Sequence, residues 1–259
     1  MDFICNIEYK NKINQFNLLN DQVIHVQRTE NNLQPKKIIE TYANNWFLGF
    51  IKENSDLISV RNGTEFIPLK KNSAVLIPPY HLVEWRQEIG TFRWQGFFSK
   101  LPLPSPKPDE MIVFPYEKSI PKNFLELTKE LLNITHFEIY TESKSPSSVA
   151  EKTKKAIIAH YREDLKITEL ATLLKIDRSV MCRAFQKSYG LSPVKFRHLL
   201  RIFEGLKLIN LENKSITYSA FDAGFSSLNH FEKHFKDFFG ITPQNFSFKQ
   251  QKKKNLGHK

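Results

Sequence analysis

The stretch "HFKDFFGITPQNF" at residues 234–246 repeats the pattern of "AFQKSYGLSPVKF" at residues 184–196. Both copies place a Phe, a Gly, a hydroxyl residue before Pro, and a final Phe at matching positions. The correspondence continues upstream, where "ITELA" (167–171) matches "ITYSA" (216–220). The chain therefore contains two copies of one helical unit, and each copy is predicted to form the same set of helices.

Each copy reads as a helix with a small residue, a tight turn, and a second helix that ends at Gly. The small residues Ala171 and Ala220 let the second helix cross closely, which is typical of a helix-turn-helix. Gly224 supplies the backbone freedom that the second turn needs. Its counterpart is Lys175, so the first turn is expected to be more strained or to have a different geometry. These patterns predict helix-turn-helix units at 167–190 and 216–240.

The segment between the copies, residues 192–210, predicts one long helix. Its apolar residues recur at helical spacing, at Phe196, Leu199, Phe203 and Leu206. A single helix would hold the two units rigidly apart. Rigidity matters because two recognition helices read successive major-groove segments only when they lie roughly 34 Å apart.

The charge of the chain is concentrated in its C-terminal part. Residues 151–259 hold 21 Lys and Arg against 10 Asp and Glu, whereas residues 1–150 hold 17 of each. A basic surface confined to one part is expected where that part alone meets a polyanion. Charge alone also fits an ordinary solvated surface, so the helical pattern has to carry the argument.

Residues 149–248 resemble the AraC/XylS family of bacterial transcription regulators. The most specific part is "ITYSAFDAGFSSLNHFEKHFKDFFGITPQNF" at 216–246, where Ile, Ala, Gly-Phe, Phe-Lys, Gly and Thr-Pro stand at the family's spacings. The sequence departs from the family pattern at Lys175, His234 and Ser247. The last of these is expected to remove one phosphate contact.

The resemblance implies a DNA-binding transcription regulator, an activator, whose second helix in each unit lies in the major groove of promoter DNA. It assigns base reading to Ser179, Cys182, Arg183, Leu228, Asn229 and Lys233. Phosphate contacts are expected from Gln186, Lys187, Arg197 and Lys236. It further implies RNA polymerase as a partner, a homodimer, and a small-molecule effector.

The N-terminal part is predicted to be rich in β-strands. Short apolar runs broken by turn signals, such as 46–51, 73–79 and 91–98, predict an antiparallel sandwich or small barrel. The run "SAVLIPPYHLVEW" (73–85) resembles the cupin-like barrels that precede this DNA-binding unit in many family members. The candidate ligand-binding residues of this part are Trp46, His81, Trp85 and Trp94. Aromatic residues in a small barrel belong to the core by default, so a core role for the Trp side chains stays open.

A helix is predicted over residues 120–134, after a proline-rich loop. Its apolar face needs a partner, so Phe124, Leu127 and Leu131 are candidates for a dimer contact. The segment 140–150 reads as a polar linker that ends in a capping box formed by Ser148 and Glu151. Hydroxyl or acid residues are predicted to cap the helices that follow, and they are Thr168, Asp177, Ser192, Ser215, Ser226 and Thr242.

The fold class expected is therefore α+β multidomain. A cupin-like antiparallel β-barrel plus helix (1–140) is followed by a linker (141–147). An all-α DNA-binding domain (148–250) with two helix-turn-helix units joined by a long helix comes next, and then a basic tail (251–259). The absence of a long apolar run, and a start without a secretory pattern, predict a cytoplasmic protein without membrane contact. Two distant cysteines fit a reducing compartment.

Two other function classes stay open. One is a cupin-like metal enzyme with a helical appendage, and the other is a nonspecific nucleic-acid-binding protein. The pair His230 and His234 has metal-ligand spacing on a helix, but no third ligand is evident near it in the sequence. We therefore predict no metal, no cofactor and no catalytic residue, and expect His234 to be a core histidine.

Overall fold

A computed structural model describes residues 5–9, 12–141 and 146–247 of the chain. The strands are β1 (Cys5–Tyr9), β2 (Lys12–Asn20), β3 (Val23–Asn32), β4 (Lys36–Glu40), β5 (Trp46–Glu53), β6 (Ile58–Asn62), β7 (Glu65–Pro68), β8 (Ser73–Ile77), β9 (Val83–Gln87), β10 (Gly90–Ser99), β11 (Met111–Pro115) and β12 (Glu138–Tyr140). The helices are α1 (Phe124–Leu132), α2 (Ser148–His160), α3 (Ile167–Leu173), α4 (Arg178–Tyr189), α5 (Pro193–Asn210), α6 (Ile216–Asp222), α7 (Leu228–Phe239) and α8 (Pro243–Phe246).

The strands form two antiparallel sheets. The larger sheet has eight strands in the order β1-β2-β3-β10-β5-β8-β11-β12, and the smaller has four in the order β4-β9-β6-β7. The turn at Asn62 and Gly63 joins β6 to β7, which pair with Asn62 opposite Glu65. The predicted division into a β-rich N-terminal part and a helical C-terminal part is confirmed.

Strand β5 lies at the centre of the larger sheet and is buried on both faces. Phe47 and Ile51 point into the core that the two sheets share. Leu48 and Phe50 point to the opposite face, into a second core. A strand covered on both sides reads as a continuous apolar run rather than an alternating one, which explains the sequence "WFLGFI".

The second core is closed by helix α1. Leu127 and Leu131 are buried there against the sheet, with Phe124 at the margin. Asn123 caps the helix by accepting a hydrogen bond from the backbone amide of Glu126 (2.9 Å). The apolar face predicted as a dimer contact is thus covered within the chain, so the reason for assigning Phe124, Leu127 and Leu131 to a subunit interface is lost.

The polar sequence of the first strands hid them from the sequence analysis. Strand β3 carries Glu30, which is fully buried and forms ion pairs with Lys36 and, at 3.4 Å, with Lys12. Burial lowers the pKa of Lys12, and the positive charge of Arg28 adds to the effect. Paired buried charges do not show the apolar alternation that predicts a strand.

Side-chain caps begin most of the C-terminal helices. Asp177, Ser192, Ser215 and Thr242 cap α4, α5, α6 and α8, as the sequence predicts. Helix α2 is an exception, because Ser147 rather than the predicted Ser148 accepts the hydrogen bond from the Ala150 amide (3.2 Å). Helix α3 is another, because its N-cap is Lys166 and the predicted cap Thr168 lies inside the helix. Residues 142–145 of the predicted linker and the basic tail at 251–259 lie outside the described residues.

Helix α5 forms the centre of the C-terminal part, as the long-helix prediction requires. Eighteen residues at about 1.5 Å each make it roughly 27 Å long. Gly205 lies under the ring of Phe231 from α7, and a Cβ at this glycine would meet that ring at 2.5 Å. The glycine is therefore needed for the close crossing of α5 and α7 rather than for bending the helix.

The β-rich part packs directly on α5. Tyr42 and Phe98 contact Phe203 with ring centroids 5.7 and 5.9 Å apart. Lys100, after β10, pairs with Glu212 beyond the end of α5 at 3.3 Å. Aromatic contacts in a shared core connect the two parts more firmly than a linker alone would. Among the described helices, none is both long and apolar enough for a membrane span.

Candidate nucleic-acid interface

Helix α4 is the second helix of the first helix-turn-helix unit. Asp177 accepts hydrogen bonds from the amides of Ser179 (2.8 Å) and Val180 (3.0 Å), which fixes where the helix begins. Helix starts of this kind expose their first residues, and recognition helices use these residues to contact base edges. Ser179 is exposed at this position.

One stripe of α4 is buried and the opposite stripe is free. Met181, Phe185 and Tyr189, which are spaced four residues apart, lie in the core. Arg183 is exposed on the opposite side. The helix ends at Gly190, which has a left-handed φ of 76° and donates its amide to Gln186. The helix therefore presents the Arg183 guanidinium outward from a fixed backbone.

Helix α7 is built in the same way in the second unit. Ser227 caps it by accepting from the amide of His230 (3.3 Å), one residue after the predicted cap Ser226. Three Phe side chains spaced four apart are buried: Phe231, Phe235 and Phe239. Asn229 and Lys233 are exposed on the other side.

The remaining two predicted base-reading residues are less free. Cys182 and Leu228 are half-buried and contact the main core. Each can offer only a small or apolar surface to a groove. Their base-reading roles, like those of the four exposed residues, stay predictions.

The predicted phosphate-contacting residues differ in how available they are. Lys187, Lys236 and Gln186 are exposed, although Gln186 also donates to the carbonyl of Gly190 (2.7 Å). Arg197 is half-buried, and its guanidinium donates to the carbonyl of Leu165. Arg197 thus holds the segment before α3, so it has fewer donors left for a phosphate than the sequence suggests.

The turns of the two units have the same left-handed backbone. Lys175 has φ 55° and Gly224 has φ 94°. The next residue donates an equivalent backbone hydrogen bond in each unit. The Ile176 amide donates to the Ala171 carbonyl and the Phe225 amide to the Ala220 carbonyl, both at 3.0 Å. The first turn therefore keeps the geometry of the second and places a lysine in a conformation that side chains disfavour.

A buried ion-pair network ties α5 to the loop after α2. The Glu204 carboxylate is fully buried and accepts from Arg162 and Lys207, each at 2.5 Å, and from the Tyr161 hydroxyl at 3.1 Å. Burial, and then the negative charge of Glu204, raise the pKa of Tyr161. This network fixes α5 relative to the segment after α2, and Arg162 also lies 3.9 Å from Asp222 of α6, in the second helix-turn-helix unit.

The candidate ligand-binding residues of the N-terminal part are not all brought together. Trp85 and Trp94 line a small cavity of about 40 Å³. Trp46 lies in the second core instead, on the opposite face of the larger sheet. His81 is buried but does not line the cavity, and Glu84, near it in sequence, is paired with Arg61 at 2.6 Å.

The cavity has polar residues at one end. Arg28 lies over the Trp94 ring at 5.0 Å, and Glu40 accepts from the Tyr42 hydroxyl at 3.2 Å. Burial, and then the Glu40 charge, raise the pKa of Tyr42 well above its usual value. The present volume fits only a few water molecules, because one water needs about 10–15 Å³ of this kind of space.

Two residues near the interface escaped the sequence analysis. Arg178 is exposed as the first residue of α4, and its place just after the predicted cap Asp177 was the available signal. His198 on α5 lies beside His230 and His234 of α7, and potential ligand atoms of the three lie within 4.8 Å of one another. No local spacing reveals such a contact, since the helices meet only in the fold.

Known proteins resemble the chain in this helical part. The sequence model of a family described as "Helix-turn-helix domain" matches residues 170–248. The HTH-type transcriptional regulator GbdR of Pseudomonas aeruginosa is 33% identical over 86 residues, which make up 33% of this chain and 23% of GbdR. The Msm operon regulatory protein of Streptococcus mutans is 28% identical over 113 residues, 44% of this chain and 40% of that protein.

The chain thus matches less than half of the length of these curated relatives. Among solved structures, ToxT from Vibrio cholerae O395 superimposes with a TM-score of 0.49 and 11% identity, covering 88% of this chain and 98% of ToxT. The family match covers the two repeated helix pairs on either side of α5, and this agreement identifies the helical part. The chain carries a helix-turn-helix domain of the AraC/XylS type, related to those of HTH-type transcriptional regulators.

Proposed function

We propose that this protein is a sequence-specific DNA-binding transcription regulator that reads two successive major-groove segments of promoter DNA. The observation that carries the proposal is the pair of recognition helices, α4 and α7. Each has a buried stripe that fixes its rotation and an exposed face with groups suited to base edges. The helices are held on one continuous helix, α5.

The exposed side chains differ in what they can read. The Arg183 guanidinium can donate two hydrogen bonds to guanine O6 and N7, and the Asn229 amide can pair with adenine N6 and N7. Leu228 offers apolar contact to a thymine methyl group. Ser179 and Cys182 allow close approach of α4, while Lys233 can donate to a base or a phosphate.

The cations around these faces account for affinity rather than sequence choice. Lys187 and Lys236 are exposed on the outward sides of α4 and α7, and Arg178 stands at the start of α4. Contacts to phosphate position a protein on DNA without reading its sequence. Specificity is therefore assigned to α4 and α7 residues facing the bases, and salt-dependent binding to these cations.

The N-terminal part is proposed to regulate the helical part through their shared core. Tyr42 lines the cavity near Trp85 and also contacts Phe203 of α5. A small-molecule effector that enlarges this cavity would move Tyr42 and so shift α5, which carries both reading units. An effector of ordinary size needs more room than the cavity has now.

The remaining parts of the proposal rest on the relatedness to regulators. We propose that the protein acts in the cytoplasm as a homodimer, activates transcription, and contacts RNA polymerase when bound at a promoter. Because the apolar face of α1 is already buried against the sheet, the dimer contact is expected at another surface of the N-terminal part. Leu125 and Leu132 on α1 are 64% and 71% exposed and are apolar residues available for such a contact.

The two other function classes make different predictions. A cupin-like metal enzyme needs a cluster of ligands in the β-rich part, whereas in the described residues the His, Cys, Asp and Glu group with ligand spacing lies on α5 and α7. A nonspecific nucleic-acid-binding protein would bind unrelated duplexes equally well. The regulator proposal requires one duplex to be preferred.

Replacing Arg183 by Ala is expected to weaken binding by about 1–3 kcal/mol on a duplex that the wild-type protein prefers, and to relax specificity at one base pair. Replacing Lys187 by Ala should instead weaken binding to every duplex alike and lower the salt slope by about one unit. Fluorescence anisotropy across a salt series, on preferred and scrambled duplexes, measures both effects. Equal losses on both duplexes for Arg183→Ala would make Arg183 a phosphate contact.

A further inference from the structure

Three histidines from two helices come together beside the second recognition helix. His230 and His234 lie four residues apart on α7, and His198 faces them from α5. The Nε2 atoms of His230 and His234 are 2.8 Å apart, and the His198 and His234 ring centroids are 4.2 Å apart. One ligand atom from each residue lies within 4.8 Å of the other two. The structure thus supplies the third ligand that the sequence analysis did not find.

We propose that His198, His230 and His234 bind a divalent transition-metal ion of the zinc class, which joins α5 to α7. Three imidazoles with an open fourth position form a known type of zinc site. Imidazole suits zinc, nickel and copper, whereas magnesium and calcium prefer oxygen ligands. The site is separate from the exposed base-reading residues of α7.

The geometry needs little change to accept an ion. Zinc–nitrogen bonds of about 2.0–2.1 Å in a tetrahedron place ligand nitrogens roughly 3.4 Å apart. The Nε2 atoms of His230 and His234 must separate slightly from 2.8 Å, and the widest pair must close from at most 4.8 Å. Rotation of the exposed His230 ring, together with small shifts of the other two rings, covers these distances. The two histidines of α7 are one helical turn apart, so their rings can meet at one ion without any change in the helix.

Two of the three rings, those of His198 and His234, are shielded from protonation, and an open crevice leaves a path for an ion. Burial, and then the neighbouring histidines, lower the pKa of His198 to about 3, and burial also lowers the pKa of His234. Neutral imidazole is the form that binds a metal. His198 and His234 also line an open crevice of about 550 Å³ between α5, α7 and strand β4.

Two arginines near the site oppose a cation, but both are engaged elsewhere. Arg201 donates to the backbone carbonyls of Tyr161 and Glu163, and Arg197 donates to that of Leu165. Asp237, one turn beyond His234 and on the same crevice, offsets part of this charge. On one side Phe225 contacts all three rings and provides an apolar wall.

The site can be tested without DNA, so its test does not depend on the proposed function. The full chain, free of any histidine tag and stripped with a chelator, is titrated with Zn²⁺ against a chromophoric competitor. We expect one Zn²⁺ per chain. Co²⁺ in its place should give visible absorption bands of a low-coordinate nitrogen site, which a loose surface association does not produce.

Variants decide whether these histidines are the ligands. His230→Gln changes an exposed side chain and should leave the fold intact, while lowering Zn²⁺ affinity at least tenfold; His198→Gln should do the same. His160→Gln, which alters a histidine on α2 paired with Glu163, is the matched control and should keep wild-type affinity. Far-UV circular dichroism checks folding of each variant. Substoichiometric Zn²⁺, or equal affinity in wild type and folded His230→Gln, would overturn the proposal.

Discussion

Replacing Gly224 by Ala is expected to destabilise the protein by about 3 kcal/mol. A Cβ at this position would lie 2.5 Å from the carbonyl oxygen of Arg162 and 2.8 Å from its carbonyl carbon, both of them backbone atoms. Gly224 also has φ 94°, which an alanine adopts only with strain. The close backbone contact and the unfavourable φ both oppose a Cβ here, so the two costs are expected to add.

The equivalent turn position in the first unit, Lys175, provides the matched comparison. Lys175 has the same left-handed backbone but is exposed, so Lys175→Gly should relieve strain and raise stability by about 0.5 kcal/mol after the entropy cost of glycine. Urea unfolding followed by circular dichroism measures both variants. A loss below about 1 kcal/mol for Gly224→Ala would show that the second turn does not pack against the Arg162 backbone as closely as the structure has it.

Replacing Glu204 by Gln is expected to cost about 3–5 kcal/mol, the range for breaking a buried ion pair from one side. The change keeps the size of the side chain and removes the negative charge that faces Arg162 and Lys207. Lys207 is only 6% exposed. Among the residues that the structure describes, the acidic partner left to it is Glu212, at 3.6 Å. Removing the carboxylate therefore leaves a buried ammonium group largely uncompensated, which is the main source of the cost.

Glu212→Gln serves as the control for this prediction. Glu212 also pairs with Lys207, and it pairs with Lys100 as well. Because Glu212 is partly exposed, water can solvate these lysines when its charge is removed. Its loss should cost no more than about 1 kcal/mol. Similar unfolding free energies for the two variants would mean that Glu204 is not the centre of the network.

Periodicity and capping residues predicted the helical part well because its helices are amphipathic and begin at polar caps. Ser192 before Pro193 and Thr242 before Pro243 mark helix starts that the structure reproduces. Where two serines are adjacent, the choice was off by one residue, at 147–148 and 226–227. Both serines carry the same local signal, and only packing of the helix fixes which one becomes the cap.

Features that depend on distant contacts were beyond local reasoning. The cover of the α1 face comes from strands far away in sequence, so Leu127 looked uncovered. Strand β3 was hidden because its buried Glu30 is neutralised by lysines from β2 and β4. His198 meets His230 only because α5 and α7 cross closely at Gly205. In each case the deciding partner lies on another element.

We infer that α4 and α7 read two neighbouring major-groove segments. Selection of bound duplexes from a random library by the purified full chain, followed by sequencing, tests this inference. We expect two enriched segments with centres about 10–10.5 base pairs apart. We also expect that Arg183→Ala loses preference in one segment and Asn229→Ala in the other. A library left without enrichment, or both substitutions affecting the same segment, would contradict the inference.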